Sequence, residues 1–421
     1  MSLRIAILTY NWPPRNAIGT LRPYSWAKYL AQSGANVVIL TARKQAYDEP
    51  LDLKLAPISG VEVIEVGPQS SSWKNSVVRS NERLARYAKA VVRFFRSVFG
   101  ITVDPRDFWE DYSRAAAEAL STRVDVIVST YGPRSAHKIA AYMKRRAPEL
   151  VWLADYRDLW SGNHLTNYSP SGRRRERRLE KKTMAAADAI ITVSDELAVE
   201  LKKLLGKPTY VIPNGFDPDE VSSSTEKNGV SPVPKIVYTG MLYRNSRDPS
   251  PLFRALRELF GDGKLSADAL TVEFYGPKDP WLEQLIEKYA VHHWVKVKGR
   301  VPRIESLRAQ GEADMLLLLE SGAPEARGVV TGKVFEYIAA RRPILSVGSG
   351  EGSAIARLLS ETGAGRAVGE EVDAIKEVLI SLLQAQKPSW YQPNNDAIQK
   401  YSRKHQASQL VALAHSLATR S

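Results

Sequence analysis

At 421 residues, with 44% hydrophobic and 25% charged residues, the chain exceeds one ordinary core and is too apolar to be disordered. It contains no cysteine, which excludes disulfides, thiol catalysis and cysteine-ligated metal, and its six histidines are scattered without metal-ligand spacing. The net charge of +13 is uneven: residues 1–210 hold 33 basic against 21 acidic residues, and residues 211–421 hold 26 against 25. The excess points the N-terminal half toward something anionic.

Taken in chain order, short apolar runs alternate with helix-length stretches. In the first half they are RIAILTY (4–10), NVVILTA (36–42), VEVIEV (61–66), DVIVST (125–130), LVWLAD (150–155), DAIITVS (188–194) and TYVIP (209–213). In the second they are KIVYTG (235–240), LTVEFYG (270–276), VKVKG (295–299), DMLLLLE (314–320) and PILSVG (343–348). Runs of this length read as strands of parallel sheets covered on both faces. Twelve strands are too many for one sheet, so two doubly wound α/β domains are expected, 1–215 and 216–394. The turn cluster Pro213-Asn214-Gly215 and the polar stretch 222–234 mark the hinge. A last helical segment, within 395–421, is expected to pack back on the first domain. Ligands of such sheets bind beyond the strands' carboxyl ends, which places the expected active site in a cleft that the two domains face across.

The stretch GVVTGKVFEYIAARRPILSVG (328–348) reads loop, helix, strand. Thr331 is the expected N-cap, and Gly332 lets a ligand approach first-turn amides that attract phosphate. Lys333 adds a charge at the same mouth, and Glu336 sits one turn on, within reach of vicinal hydroxyls. The same pattern also fits an ordinary surface helix start. The glycine spacing is not that of a Walker loop.

This helix, with Glu336 and the following strand, resembles the nucleotide-sugar signature of retaining glycosyltransferases of the GT-B fold, family 4. NWPPRNAIGTLRPYSWAKYLAQSGANVVILT (11–41), VIPNGFD (211–217), IVYTGMLYRNSRDP (236–249), EFYGP (273–277) and VKGRVPRIESLRAQGEADMLLLLE (297–320) follow the family's order. STYGPRSAHKIA (129–140) and LADYRDLWSG (153–162) resemble a subgroup common in bacterial surface-polysaccharide synthesis.

The resemblance implies a nucleotide-diphosphate-sugar donor on the second domain, transferred with retention to a glycan or lipid-linked acceptor. Glu336 would meet the ribose and the Gly332 backbone the diphosphate. Arg244 and Arg247, after Gly240, would stabilise the leaving group. Where the family often has a second glutamate this chain has Gly328, which leaves Glu325 as the expected sugar contact, with Glu320 nearby. In the first domain Gly19, followed by Thr20 instead of a second glycine, would approach the substrates, and Arg22 opens the next helix. His137 corresponds to the family's cleft histidine or is structural. Asp155, Arg157 and Asp158 end a strand. Asp155 positions the acceptor hydroxyl or takes its proton, or else the three form an Arg–Asp network holding the turn.

Asp217-Pro-Asp219 reads as turn and cap chemistry, and neither metal nor cofactor is expected. Two basic stretches, 79–101 and 173–182, fit an anionic membrane surface or solvated helix faces. Interleaved aromatics for nucleic acid are missing. The N-terminus opens on a strand pattern, so a cytoplasmic protein is expected, peripheral at the inner face of the plasma membrane. The alternatives are a sugar-nucleotide epimerase of the same fold and a non-catalytic membrane-associated scaffold.

Overall fold

The computed structural model describes residues 3–68, 104–163, 166, 168–222, 233–244, 246–323, 330–384 and 388–418. The chain divides into two compact units, residues 1–214 with 406–421 and residues 215–405. Among the described residues no helix is long and apolar enough to cross a membrane. The basic stretch 79–101 lies outside the described residues.

In the first unit the described strands are β1 (Arg4–Leu8), β2 (Asn36–Ala42), β3 (Val61–Val66), β4 (Val126–Thr130), β5 (Val151–Tyr156), β6 (Ala189–Thr192) and β7 (Thr209–Val211). They form one parallel sheet in the order β3-β2-β1-β4-β5-β6-β7. Alternate side chains feed two cores, one on each face. Ala6, Leu8, Leu40 and Ile127 join one, with α2 (Trp109–Ser121) and α3 (Ser135–Arg146). Ile5, Ile7, Ile39 and Val128 join the other, with α1 (Ile18–Gln32). This double burial explains why the strands read as continuous apolar runs.

On the same side as α2 and α3, α4 (Pro170–Met184) packs through Met184, and α5 (Asp195–Leu205) through Leu201. The segment expected as one helix over 395–418 is two, which will be α13 and α14 in chain order: α13 (Asn395–Gln399) and α14 (Arg403–Ala418). They part because Phe216 takes the backbone between them. Its N–H donates to the Tyr401 carbonyl (3.1 Å), and its own carbonyl accepts from Arg403 N–H (2.8 Å). Ala407, Leu410, Leu413 and Ala414 of α14 complete the Ile5–Ile7 core.

The second unit repeats the plan with β8 (Lys235–Thr239), β9 (Thr271–Tyr275), β10 (Val295–Gly299), β11 (Met315–Leu319), β12 (Ile344–Val347) and β13 (Gly365–Ala367). Their order is β10-β9-β8-β11-β12-β13, all parallel. The helices between are α6 (Pro218–Ser222), α7 (Ser250–Gly261), α8 (Pro280–Tyr289), α9 (Arg303–Glu312), α10 (Gly332–Ala339), α11 (Ala354–Thr362) and α12 (Val372–Gln384). Strand β13 went unread in the sequence, because three residues at a sheet edge carry no apolar run.

Each sheet starts in its middle and grows outward in both directions. The strand order therefore reverses between β1 and β4 in the first unit and between β8 and β11 in the second. Loops leaving adjacent strands diverge there and open a crevice at the carboxyl edge.

Candidate functional site

In the second unit the crevice between β8 and β11 is floored by glycine. Gly240, directly after β8, has φ +122, and its N–H donates to the Tyr275 carbonyl at 2.7 Å. A Cβ on Gly276 would come within 2.2 Å of the Gly240 carbonyl oxygen, and one on Gly240 within 2.7 Å of Lys333 Nζ. Backbone and amine thus approach more closely than any side chain permits.

Helix α10 aims its start into this crevice. Val334, Phe335, Tyr337 and Ile338 are buried beneath it, and the Tyr337 hydroxyl accepts from the Thr239 N–H (2.9 Å), tying the helix to the end of β8. Thr331 stands at the N-cap with extended backbone, yet its side chain does not cap. Its hydroxyl donates instead to Glu320 Oε1 at 2.7 Å. The Thr331 side chain thus leaves the helix start uncapped, and the Val334 amide donates to the Thr331 carbonyl at 3.3 Å.

Beside that start lies the Lys333 ammonium, 3.9 Å above the Tyr238 ring. Its Nζ is sealed from solvent and has no hydrogen-bond partner among the described residues. Burial pushes its pKa down to about 7; neighbouring Arg247 adds to the effect, and Glu320 and Glu336 oppose it. Glu320 is pushed up, mainly by burial, against the Thr331 bond and the charges of Arg247 and Lys333. Of the two expected arginines, Arg247 belongs to this group; its Nη1 donates to the Met241 carbonyl (3.3 Å). Arg244 is exposed, with its guanidinium 5.9 Å from the Trp281 ring centroid. Glu325 lies outside the described residues.

Glu336 is held by a residue that sequence reasoning passed over. Arg303, at the start of α9, donates from Nη1 to Glu336 Oε1 (2.8 Å) and from Nη2 to Glu220 Oε2 (2.8 Å). Nothing in local spacing links positions 220, 303 and 336. The Asp217 carboxylate accepts from the Asp219 amide at 3.0 Å, capping the short α6.

In the first unit the expected residues divide. Arg22 and Asp155 form a sealed pair, 2% and 0% exposed at their side chains. Nε and Nη2 of Arg22 hold the Asp155 carboxylate at 2.9–3.2 Å. Its remaining donors reach the Ile212 and Pro213 carbonyls, and its Cζ lies 4.3 Å from the Trp26 ring centroid. Burial pushes the Asp155 pKa up, against the pull of Arg22. A carboxylate with both oxygens occupied and no exposed atom cannot take an acceptor's proton. This corrects the catalytic expectation for Asp155, and with it the cleft role of Arg22: the pair fastens α1 to the ends of β5 and β7.

His137 is likewise core. It is fully buried, its Nδ1 2.7 Å from Ser129 Oγ and its ring stacked on Tyr156 at 4.8 Å. Burial alone lowers its pKa to about 3, so it stays neutral. The cleft role expected of it is corrected to a structural one. Thr20 is buried, with its hydroxyl donating to the Arg15 carbonyl (2.9 Å). Gly19 makes room for Arg157, whose Nη1 would lie 2.3 Å from a Cβ there. Arg157 also donates to the Tyr131 carbonyl and pairs with the half-exposed Asp158 at 3.3 Å. Arg157 and Asp158 remain reachable at the β1–β4 crevice.

On α4 the basic stretch 173–182 separates its charges. Glu176 and Glu180 turn inward, to Arg134 and the Trp160 indole, and to the Ser161 amide. Arg174, Arg175, Arg177, Arg178, Lys181 and Lys182 are all exposed.

Residues 23–220 match the family model described as Glycosyltransferase Family 4. No curated protein matches the sequence. Among solved structures the chain is similar to sucrose-phosphate synthase from Thermosynechococcus elongatus, with 15% identity, all of both chains covered and a TM-score of 0.60. It is also similar to Anabaena HepE in complex with UDP and glucose, with 15% identity, 98% of this chain and 100% of that one covered and a TM-score of 0.60. A third likeness is WaaG, a glycosyltransferase involved in lipopolysaccharide biosynthesis, with 15% identity, 98% of each chain covered and a TM-score of 0.52. What is shared at these identities is the fold: two Rossmann-like parallel-sheet domains matching GT-B glycosyltransferase structures.

Replacing Asp155 by Asn keeps the shape and strands the Arg22 charge. The expected loss of unfolding free energy is roughly 3–5 kcal/mol, read from the urea transition of the first unit. An unchanged transition would return Asp155 to the candidates for chemistry.

Proposed function

We propose that the protein is a glycosyltransferase that binds a nucleotide-diphosphate sugar on the second unit and delivers the sugar to an acceptor hydroxyl. The observation that carries this is the buried Lys333 amine, without a hydrogen-bond partner among the described residues, beside the uncapped start of α10, at the crevice between β8 and β11. Leaving a cation without a partner is costly, and a diphosphate supplies the missing one. The family match over 23–220 and the shared fold support the same reading.

In this reading the glycosyl–phosphate bond breaks with its electron pair retained by the diphosphate. Lys333, Arg247 and the first-turn amides stabilise the charge that develops. The acceptor oxygen bonds to the anomeric carbon from the face the phosphate leaves, and the acceptor's proton passes to the departing phosphate. Retention and independence from metal rest on the family resemblance. Glu336 offers the remaining carboxylate oxygen, Oε2, to the pentose hydroxyls.

A lipid-linked or polysaccharide acceptor at a membrane face fits the outward charge of α4. Its two acids point inward and six cations point out, a face suited to anionic lipid. That WaaG acts in lipopolysaccharide biosynthesis agrees with such an acceptor.

In a thermal-unfolding screen of UDP-, GDP-, ADP- and dTDP-sugars, at least one should raise the melting midpoint. Lys333→Met and Glu336→Ala should each abolish the rise; if no nucleotide stabilises the native protein, the donor site is wrongly placed. Co-sedimentation with vesicles should require anionic lipid and weaken as salt rises. Reversing Arg174, Arg175, Arg177 and Arg178 to Glu should abolish it, and equal binding to neutral vesicles would refute the membrane face.

A further inference from the structure

Arg303 is the first residue of α9, and that helix start carries no side-chain cap. A guanidinium at the positive end of a helix is electrostatically unfavourable unless anions compensate it. Two do. Its Nη2 and Nε reach the Glu220 carboxylate at 2.8 and 3.4 Å, a two-point grip, while Nη1 reaches Glu336 Oε1 at 2.8 Å. The three side chains are only 23–29% exposed, so the pairs are partly shielded from water. Burial works against the charge of Arg303, but the two carboxylates outweigh it and hold the guanidinium firmly charged.

The three residues come from α6, α9 and α10, separated by 83 and 33 positions along the chain. Their meeting fixes one torsionally soft side chain. An unrestrained glutamate on the second turn of α10 samples several rotamers. With Oε1 tethered, the carboxylate plane is set and Oε2 is presented, without a hydrogen-bond partner among the described residues.

We infer that Arg303, itself anchored by Glu220, is a positioning residue that sets Glu336 for recognition of the ribose 2′- and 3′-hydroxyls of the donor nucleotide. The inference rests on the reading of α10 as the nucleotide site and adds how that site tells a ribonucleotide from its 2′-deoxy form. A carboxylate held in one orientation favours the ligand with both hydroxyls. One free to rotate takes whichever hydroxyl is present, at an entropic cost to each.

The test measures Kd for UDP, GDP and ADP, each against its 2′-deoxy form, by calorimetry. For its preferred base the wild-type protein should favour the ribonucleotide on the order of tenfold or more, the worth of one hydrogen bond to a charged group. Arg303→Met should pull the ratio toward one by weakening ribonucleotide binding while leaving the deoxy form nearly unchanged. Arg303→Lys should restore part of it, because a point charge still tethers Oε1. Arg303→Met leaves two carboxylates without their cation and is expected to lower the melting midpoint. Combining it with Glu220→Gln removes one of those charges and provides a folded background for the same measurement. If the wild-type discriminates and the double variant keeps the full ratio, the positioning role is overturned while the nucleotide site stands. If the wild-type binds none of these nucleotides, or both sugar forms equally, the pentose reading of Glu336 fails and takes the positioning role with it.

Discussion

The amine of Lys333 is buried and, among the described residues, has no hydrogen-bond partner. That arrangement exists only because the surrounding backbone is glycine at the points of closest approach. Gly240 leaves room for Nζ, and Gly276 leaves room for the Gly240 carbonyl. The Thr331 hydroxyl, which would ordinarily close the start of α10, is drawn to Glu320 instead. The uncapped helix start and the buried amine thus lie together, with Arg247 beside them. The buried Tyr238 ring beneath the amine offsets part of the desolvation through its π face, but cannot replace a counter-ion.

The first unit uses the same sheet plan to opposite effect. Its most deeply buried ion pair, Arg22 with Asp155, is closed upon itself, whereas Asp48 uses Oδ2 for the Tyr10 hydroxyl and the Gln45 amide and leaves Oδ1 without a hydrogen bond among the described residues. Charges that satisfy each other brace the scaffold and have little left to offer a ligand. Other charged groups sit outside that frame. Arg157 and Asp158 stand at the strand ends and the α4 cations on an exposed helix face. Chemistry in this molecule is thus read from incompleteness.

Much of the fold was legible because the central strands are buried on both faces, so that MLLLL or NVVIL announces itself without any partner being known. The break between α13 and α14 was not, since it comes from Phe216 pairing with residues far along the chain. The site shows the same division. Gly332, Lys333 and Glu336 stood out because helix start, glycine and charge are neighbours in sequence. The diversion of Thr331, the clamp from Arg303 and the closure of Asp155 by Arg22 all join residues far apart in sequence, Arg22 and Asp155 by 133 positions. Residue type gave Thr331, Arg22 and Asp155 a role in chemistry or capping and gave Arg303 none; only the three-dimensional partner decided each. On α4 the spacing of Glu176 and Glu180, four apart, already put both acids on one face. What the sequence could not say is that Arg134, Trp160 and Ser161 wait there to receive them.

The central claim is that the Lys333 amine is poised for a diphosphate, and the most direct measurement is its own titration. A lysine labelled with carbon-13 at Cε and assigned by its loss in Lys333→Met can be followed by NMR with and without UDP or GDP. The account predicts a midpoint near 7 in the free protein, where burial disfavours the ammonium. It predicts a clear rise when the nucleotide binds, because an adjacent anion favours the charged form and draws in a proton above pH 7. A free midpoint near the ordinary lysine value of about 10.4, or one that bound nucleotide leaves unmoved, would contradict it.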